Sequence, residues 1–243
     1  MGRKKNKLLR NGTCAFCGKQ GEVTKDHIPP KGLFPDPKPS NLITVPSCLD
    51  CNNKTSDDDQ YFITVLSLDM RSDEIATANV NMKTLRGLIR QDSEKFKENL
   101  IKDARPMELR TPSGLYAGKT VALSIDPFRL WKTVEKVAKG LVYRITHKVV
   151  TEEYVLTTRF YYHWEDLGAD FPYYIMDHAR SNPQYHYAIG NGAFECSGFE
   201  VKGHWFWLMD FYKNHRAMCI MSNSLDPERR VWVEQRKKEW RIH

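Results

Sequence analysis

A chain of 243 residues with 41% apolar and 12% aromatic content can hold one large domain, or a small module with a larger companion, around a real core. Its formal charge of +7 suits a polyanionic partner such as nucleic acid and equally suits an ordinary soluble surface. No stretch approaches the ~20 apolar residues of a membrane span, the basic N-terminus lacks the apolar segment of a signal peptide, and Asn6 breaks the N-myristoylation pattern. The expectation is a cytoplasmic protein without membrane contact, in which six cysteines serve as metal ligands or free thiols before disulfides.

In chain order, the basic run Arg3 to Arg10 comes first and has a counterpart at Arg229 to Arg241. Both fit solvated tails or phosphate contacts. Residues 1–62 are rich in Cys, Pro, Asn and Asp and cannot build a large core without a staple. "EVTKDHI" (22–28) alternates like a strand, and "NLITVPS" (41–47) reads as a second. The proline-rich "PPKGLFPDPKPS" between them is expected to be an unpaired surface loop. "CLDCNNKTSDDDQYF" opens a helix, although Ser56-x-x-Asp59 also has the form of a capping box starting a helix of its own, with Asp57, Asp58 and Asp59 in its first turn.

Residues 63–110 are expected to form a helical connector. Met82, Leu85, Leu88 and Ile89 recur at helical spacing, and "DSEKFKENLIKD" reads as a more polar helix capped by Asp92 or Ser93. Residues 111–243 are expected to form an α+β domain. Asp126 as N-cap and Pro127 at the first helical position start a helix with Leu130, Val134, Val137, Leu141 and Ile145 on its apolar stripe. Strand-like runs follow at 154–164, 185–189, 193–199, 203–212 and 216–222, with turns at "IGNGA" and "KNH". The fold class is α+β with an antiparallel C-terminal sheet. The aromatic run 204–212 could stack bases, but core or a dimer interface is the better reading. Cys196 and Cys219 read as buried apolar residues.

Cys14-Ala-Phe-Cys17 and Cys48-Leu-Asp-Cys51 are two CxxC pairs. Each presents two thiolates to one cation, and together they complete the tetrahedral S₄ set preferred by Zn²⁺. Free thiols or disulfides are the alternative. Gly18 suits the tight turn after the first pair. A four-cysteine site is closed, so such a zinc is structural and any chemistry sits elsewhere. Asp26 and His27, as strand neighbours, point to opposite faces. A carboxylate that holds a divalent ion beside an imidazole that deprotonates water is what a metal-assisted hydrolase needs.

These residues resemble the HNH endonuclease family, whose ββα-metal module is stapled by a zinc knuckle pair. The resemblance rests on Asp26-His27, on Asn41-Leu42, and on Asn52 directly after Cys51, over about residues 11–62. It implies hydrolysis of phosphodiester bonds in nucleic acid, with DNA favoured. By that likeness His27 is the general base, Asp26 and Asn52 hold Mg²⁺ or Mn²⁺, and Asn41 braces the loop and strand that aim His27. Asn52 stands where the family pattern often has His, giving a His-Asn-Asn variant, and Asn53 is the alternative at that position. Lys31 and Lys54 could touch phosphate. The likeness to standalone prokaryotic and phage-defence nucleases implies a homodimer or a defence-system partner protein. The competing reading is a non-catalytic zinc-knuckle module that binds nucleic acid or protein.

Overall fold

The computed structural model describes residues 9–69, 94–161 and 173–223. Strands β1 (Leu9–Thr13) and β2 (Gln20–His27) form an antiparallel hairpin with the first cysteine pair at its tip. Gly18 closes that tip at φ +74°, a left-handed conformation that costs glycine nothing. Its N–H donates to the Cys14 carbonyl at 2.9 Å. Strand β3 (Thr44–Ser47) pairs antiparallel with the other edge of β2, placing Val45 opposite Asp26 and Thr44 opposite His27. Helix α1 (Leu49–Leu68) follows at once, with Cys48 as its N-cap.

Three expectations for this region need correction. The second strand begins at Thr44, not at Asn41, although the Ile28 N–H still reaches the Ile43 carbonyl at 3.0 Å. The proline-rich loop is a surface loop only in part, with Lys31, Asp36, Pro37 and Ser40 exposed and Pro29 and Pro30 buried. Lys31–Leu33 form a short 3-10 turn, and Leu33 and Phe34 are fully buried. Finally, Ser56 to Asp59 start no helix of their own, because α1 runs through them unbroken and the Ser56 hydroxyl donates back to the Asn53 carbonyl at 3.0 Å.

Helix α2 (Glu94–Ile101) matches the polar helix read from the sequence, while its expected caps Asp92 and Ser93 and the stripe from Met82 to Ile89 lie outside the described residues. Residues 105–110, expected to be helical, are strand β4 (Arg105–Arg110), which pairs with β5 (Tyr116–Ala122) in a two-stranded hairpin. Pro106 explains the difference, since it has no N–H to give a helix interior and clashes with the preceding turn. Helix α3 (Pro127–Thr146) begins as the sequence indicates, the Asp126 side chain accepting the Phe128 N–H at 3.0 Å. Leu130, Val134, Val137 and Leu141 are buried along it.

The C-terminal sheet has five antiparallel strands in the order β6-β10-β9-β8-β7, made from β6 (Tyr154–Tyr161), β7 (Tyr185–Ile189), β8 (Phe194–Val201), β9 (His204–Phe211) and β10 (His215–Asn223). Between β6 and β7 lies helix α4 (Tyr173–Ser181), which periodicity did not reveal. Strand β9 is central and covered on both faces, which is why its sequence is apolar without alternation. Trp205, Trp207, Met209 and Phe211 join the main core with α1 and α3, and Phe206 and Leu208 join a smaller cluster with Met176 and Ala179 of α4. The aromatic run is therefore core, and Cys196 and Cys219 are buried as expected.

The main core does not stop at the end of the cysteine-rich segment. It takes in Ala15, Ile28, Phe34 and Phe62 together with Val137, Phe194 and Phe211. Ile28 sits against Gly140 of α3 so closely that a Cβ there would lie 2.6 Å from Ile28 Cδ1. Among the described residues no helix is long and apolar enough to cross a membrane.

Candidate metal centre and the carboxylate site beside it

The four sulfurs of Cys14, Cys17, Cys48 and Cys51 lie within 4.8 Å of one another. Zinc at ~2.3 Å from each of four thiolates places them about 3.8 Å apart, and Cys17 Sγ to Cys48 Sγ is 3.7 Å. The donor set and its spacing fit one zinc ion. Backbone geometry prepares the site. Burial raises the Cys14 thiol, but the backbone N–H groups of Cys48, Phe16 and Cys17 outweigh it and hold Cys14 down to about 7. Cys51 is pushed the other way by burial and by the neighbouring Cys48 and Cys17 sulfurs. A cation among the four removes that conflict, because a coordinated thiol gives up its proton. Cys48 and Cys51 bracket the first turn of α1, and the Ala15 N–H donates to the Pro46 carbonyl at 2.8 Å, so the cluster pins the β1–β2 tip to the start of α1.

From that start α1 crosses one face of β2. Asn52 is half-buried there, and its amide Nδ2 donates to Thr24 Oγ1 at 2.9 Å. Its nitrogen is thereby committed, which leaves the amide oxygen as the atom a cation would meet. Asn53 is exposed. Thr24 and Asp26 alternate onto the same face of the strand, so Asp26 and Asn52 belong to one side of β2.

Asp26 is buried, and it meets a lysine from the C-terminal part of the chain. Lys136 of α3, only 4% exposed, donates to Asp26 Oδ1 at 3.1 Å and to Asp59 Oδ2 at 2.7 Å. Its Nζ also stands 3.0 Å from Asp26 Oδ2, an ion-pair contact without hydrogen-bond geometry, so among the described residues no hydrogen-bond donor satisfies that buried oxygen. Asp59 lies on α1 two turns beyond Asn52. Burial pushes its carboxyl up to about 6 against the pull of Lys136, and the Asp26 charge adds to the rise. The contact continues along α3, where Arg129 Nε donates to Asp58 Oδ1 at 2.8 Å and Lys132 stands 3.6 Å from Asp58 Oδ2. Asp58 and Asp59 thus dock α1 on α3 through their carboxylates, and Asp57 contributes its backbone carbonyl, which accepts from Arg129 at 2.8 Å.

His27 ends β2 on the other side of the strand by the same alternation. Its imidazole is half-buried, and desolvation followed by the nearby Lys31 holds it below its ordinary value, with Asp26 opposing and Lys136 and Lys25 adding to the fall. Asn41 reaches in another direction, its Nδ2 donating to the Ala188 carbonyl of β7 at 2.9 Å. It braces the β2–β3 loop against the C-terminal sheet. Lys31 and Lys54 are exposed, and the basic runs at both ends of the chain lie outside the described side chains.

Asp26 and Asn52 therefore share a face, and His27 and Asn41 are placed by other surfaces. The sequence reading missed Lys136, because a lysine on an amphipathic helix reads as solvent-facing. A signal was nevertheless present, since Arg129, Lys132, Thr133 and Lys136 recur at helical spacing and complement the acids at 57–59. For a hard cation the donor types fit: a carboxylate with one oxygen lacking a hydrogen-bond donor among the described residues, and an amide oxygen on the same side of β2. A separate cavity of about 600 Å³ in the C-terminal part is lined by Arg180, His186, Glu195, Asp210, Lys213 and Arg216. Its charges are in part mutually paired, with Arg216 Nε 3.4 Å from Asp210 Oδ1.

Fold and site together define a mixed α+β protein with antiparallel sheets and a four-cysteine cluster that could hold one zinc ion. Comparison with protein-family models, with curated proteins and with solved structures gave no match.

Proposed function

We propose that the protein is an HNH-type endonuclease that hydrolyses phosphodiester bonds in nucleic acid, DNA by preference, with a divalent ion such as Mg²⁺ or Mn²⁺. The observation that carries this reading is the strand-strand-helix unit pinned by the cysteine cluster, which lays Asn52 of α1 against the face of β2 that bears Asp26. Asp26 and Asn52 would hold the ion through oxygen. When bound, that ion supplies neutralisation of the charge that grows on the phosphate. His27 takes a proton from the attacking water. Its depressed basicity keeps the imidazole neutral at pH 7, the form a general base requires. Asn41 holds the loop that follows His27 by its bond to β7, which makes it a positioning residue. The four cysteines hold structural zinc and take no part in the chemistry.

A second reading has an observation of its own. Asp26 is ion-paired to Lys136, and His27 stands on the far face of β2, an arrangement that a non-catalytic zinc-knuckle binding module tolerates equally. Nicking of supercoiled plasmid with Mg²⁺ or Mn²⁺ decides between them. The nuclease reading expects nicking by the wild type and a loss of about 10²- to 10⁴-fold in His27→Ala. No nicking with either metal, or equal nicking by the variant, leaves the binding module.

A further inference from the structure

The carboxylate proposed to hold the divalent ion already has a cation against it. That cation is tethered: Lys136 belongs to α3, outside the strand-strand-helix unit, and reaches Asp26 from 110 positions further along the chain. It is also shared. The same ammonium makes its shortest contact, 2.7 Å, with Asp59, and the two carboxylates approach it from different elements, β2 and α1. Thr133 Oγ1 stands 3.5 Å from the other Asp59 oxygen, so Asp59 is held in place by α3 on both oxygens. Asp26 leans on Lys136 alone among the described residues: Oδ1 accepts from it, and Oδ2 has its ion-pair contact at 3.0 Å and no hydrogen-bond donor.

We propose that Lys136 is a two-position cation that competes with the divalent ion for Asp26 and retires onto Asp59 when the ion binds. This rests on the reading of Asp26 as a metal ligand. A divalent ion on Asp26 Oδ2, at the ~2.1 Å of Mg²⁺–oxygen contacts, would lie within a few ångströms of the ammonium, and like charges at that separation repel strongly in a buried site. Removing the lysine from Asp26 leaves it buried and in need of a partner, and Asp59 is that partner already in contact. Asp59 therefore acts on metal affinity through Lys136. The apparent affinity is the intrinsic affinity reduced by the fraction of molecules in which Asp26 is released. Since Lys136 sits on α3, whatever moves α3 relative to β2 changes that fraction, and the C-terminal part of the chain sets the readiness of the site.

The test is Mn²⁺ binding to the full chain, with free Mn²⁺ counted by its electron paramagnetic resonance signal and folding checked by circular dichroism. Lys136→Met should bind Mn²⁺ more tightly than wild type, by on the order of tenfold, the scale on which groups contacting a ligand tune metal affinity. Asp59→Asn should bind it more weakly, because the ammonium then has only Asp26. In the double variant D59N/K136M, which keeps the formal charge of the triad and so guards against misfolding of the single lysine variant, affinity should equal that of a chain freed of the lysine, tighter than wild type. Asp26→Asn should abolish the gain in that background. Unchanged or weaker binding in the double variant overturns the proposal, as does binding indifferent to Asp26→Asn. An Asp59→Asn loss of equal size with and without Lys136 also overturns it, since Asp59 would then act on the ion directly. Plasmid nicking judges the nuclease reading separately, because the metal titration reads Asp26 whether or not the chain cuts.

Discussion

At the scale of single residues the triad of Asp26, Lys136 and Asp59 sets an electrostatic imbalance, with one buried and one half-buried carboxylate sharing one ammonium. Burial raises the Asp59 carboxyl from 3.8 to about 6 against the pull of Lys136, and the Asp26 charge adds to the rise. A folded-state value above the unfolded one means that the group favours the folded state fully below the unfolded value, and that this contribution is lost as pH rises through about 6. Without added divalent ion, the wild type should therefore lose about 2 kcal/mol from this group between about pH 4 and pH 7. Asp59→Asn should lack that component, so denaturant melts of the two proteins at those two pH values should converge at the acidic end and separate at the neutral one. A constant difference across the range would show that Asp59 titrates normally. Cysteine positions at this scale were legible in advance, because CxxC spacing constrains geometry locally. Lys136 was not, because its burial depends on a helix packed across a strand far away in the chain.

At the scale of elements, the hairpin tip and the first turn of α1 meet at the four-cysteine cluster, with the Ala15 N–H bonded to the Pro46 carbonyl beside it. Cys48 caps α1 without a side-chain hydrogen bond to its N–H groups. Metal analysis should find one zinc per chain. Chelation, or Cys48→Ser, should release it and melt the β1–β2 tip with the start of α1, read as lost amide protection there while the five-stranded sheet stays protected. Helix α3 makes the opposite kind of contact, a close apolar approach. A Cβ at position 140 would lie 2.6 Å and 2.8 Å from Ile28 Cδ1 and Cγ2. Gly140→Ala should thus destabilise by about 1–2 kcal/mol despite the better helix propensity of alanine, as measured by urea melts. The start of α3 could be read from Asp126 and Pro127, because capping is a local interaction. Strand β4 is not legible in the sequence because the region before it is helical in composition, with Pro106 the mark of the change.

At the scale of the whole molecule, the loop between β2 and β3 is clamped from the far end of the chain. The Tyr212 hydroxyl donates to the Leu33 carbonyl at 2.6 Å in a buried setting, and Asn41 bonds the Ala188 carbonyl. Tyr212→Phe removes the donor and leaves a buried carbonyl unsatisfied, which should cost about 1–3 kcal/mol and raise protease sensitivity within residues 28–43. Phe62 of α1 stacks edge-on to Phe211 of β9 with ring centroids 5.0 Å apart. The cysteine-rich unit thus shares its core with the C-terminal sheet instead of closing one of its own.

The amino-acid sequence by itself determined the cysteine frame, the α+β class, the start of α3 and the apolar strands of the C-terminal sheet. Each is a matter of local spacing, capping or run length, and short-range physics suffices for it. The burial of Leu33 and Phe34, the docking of Asp58 and Asp59 on α3, and the place of Lys136 between Asp26 and Asp59 came from tertiary packing alone. Those facts depend on which surfaces meet across 71 residues or more, and a buried charge can be recognised only when the partner that makes its burial tolerable is in place.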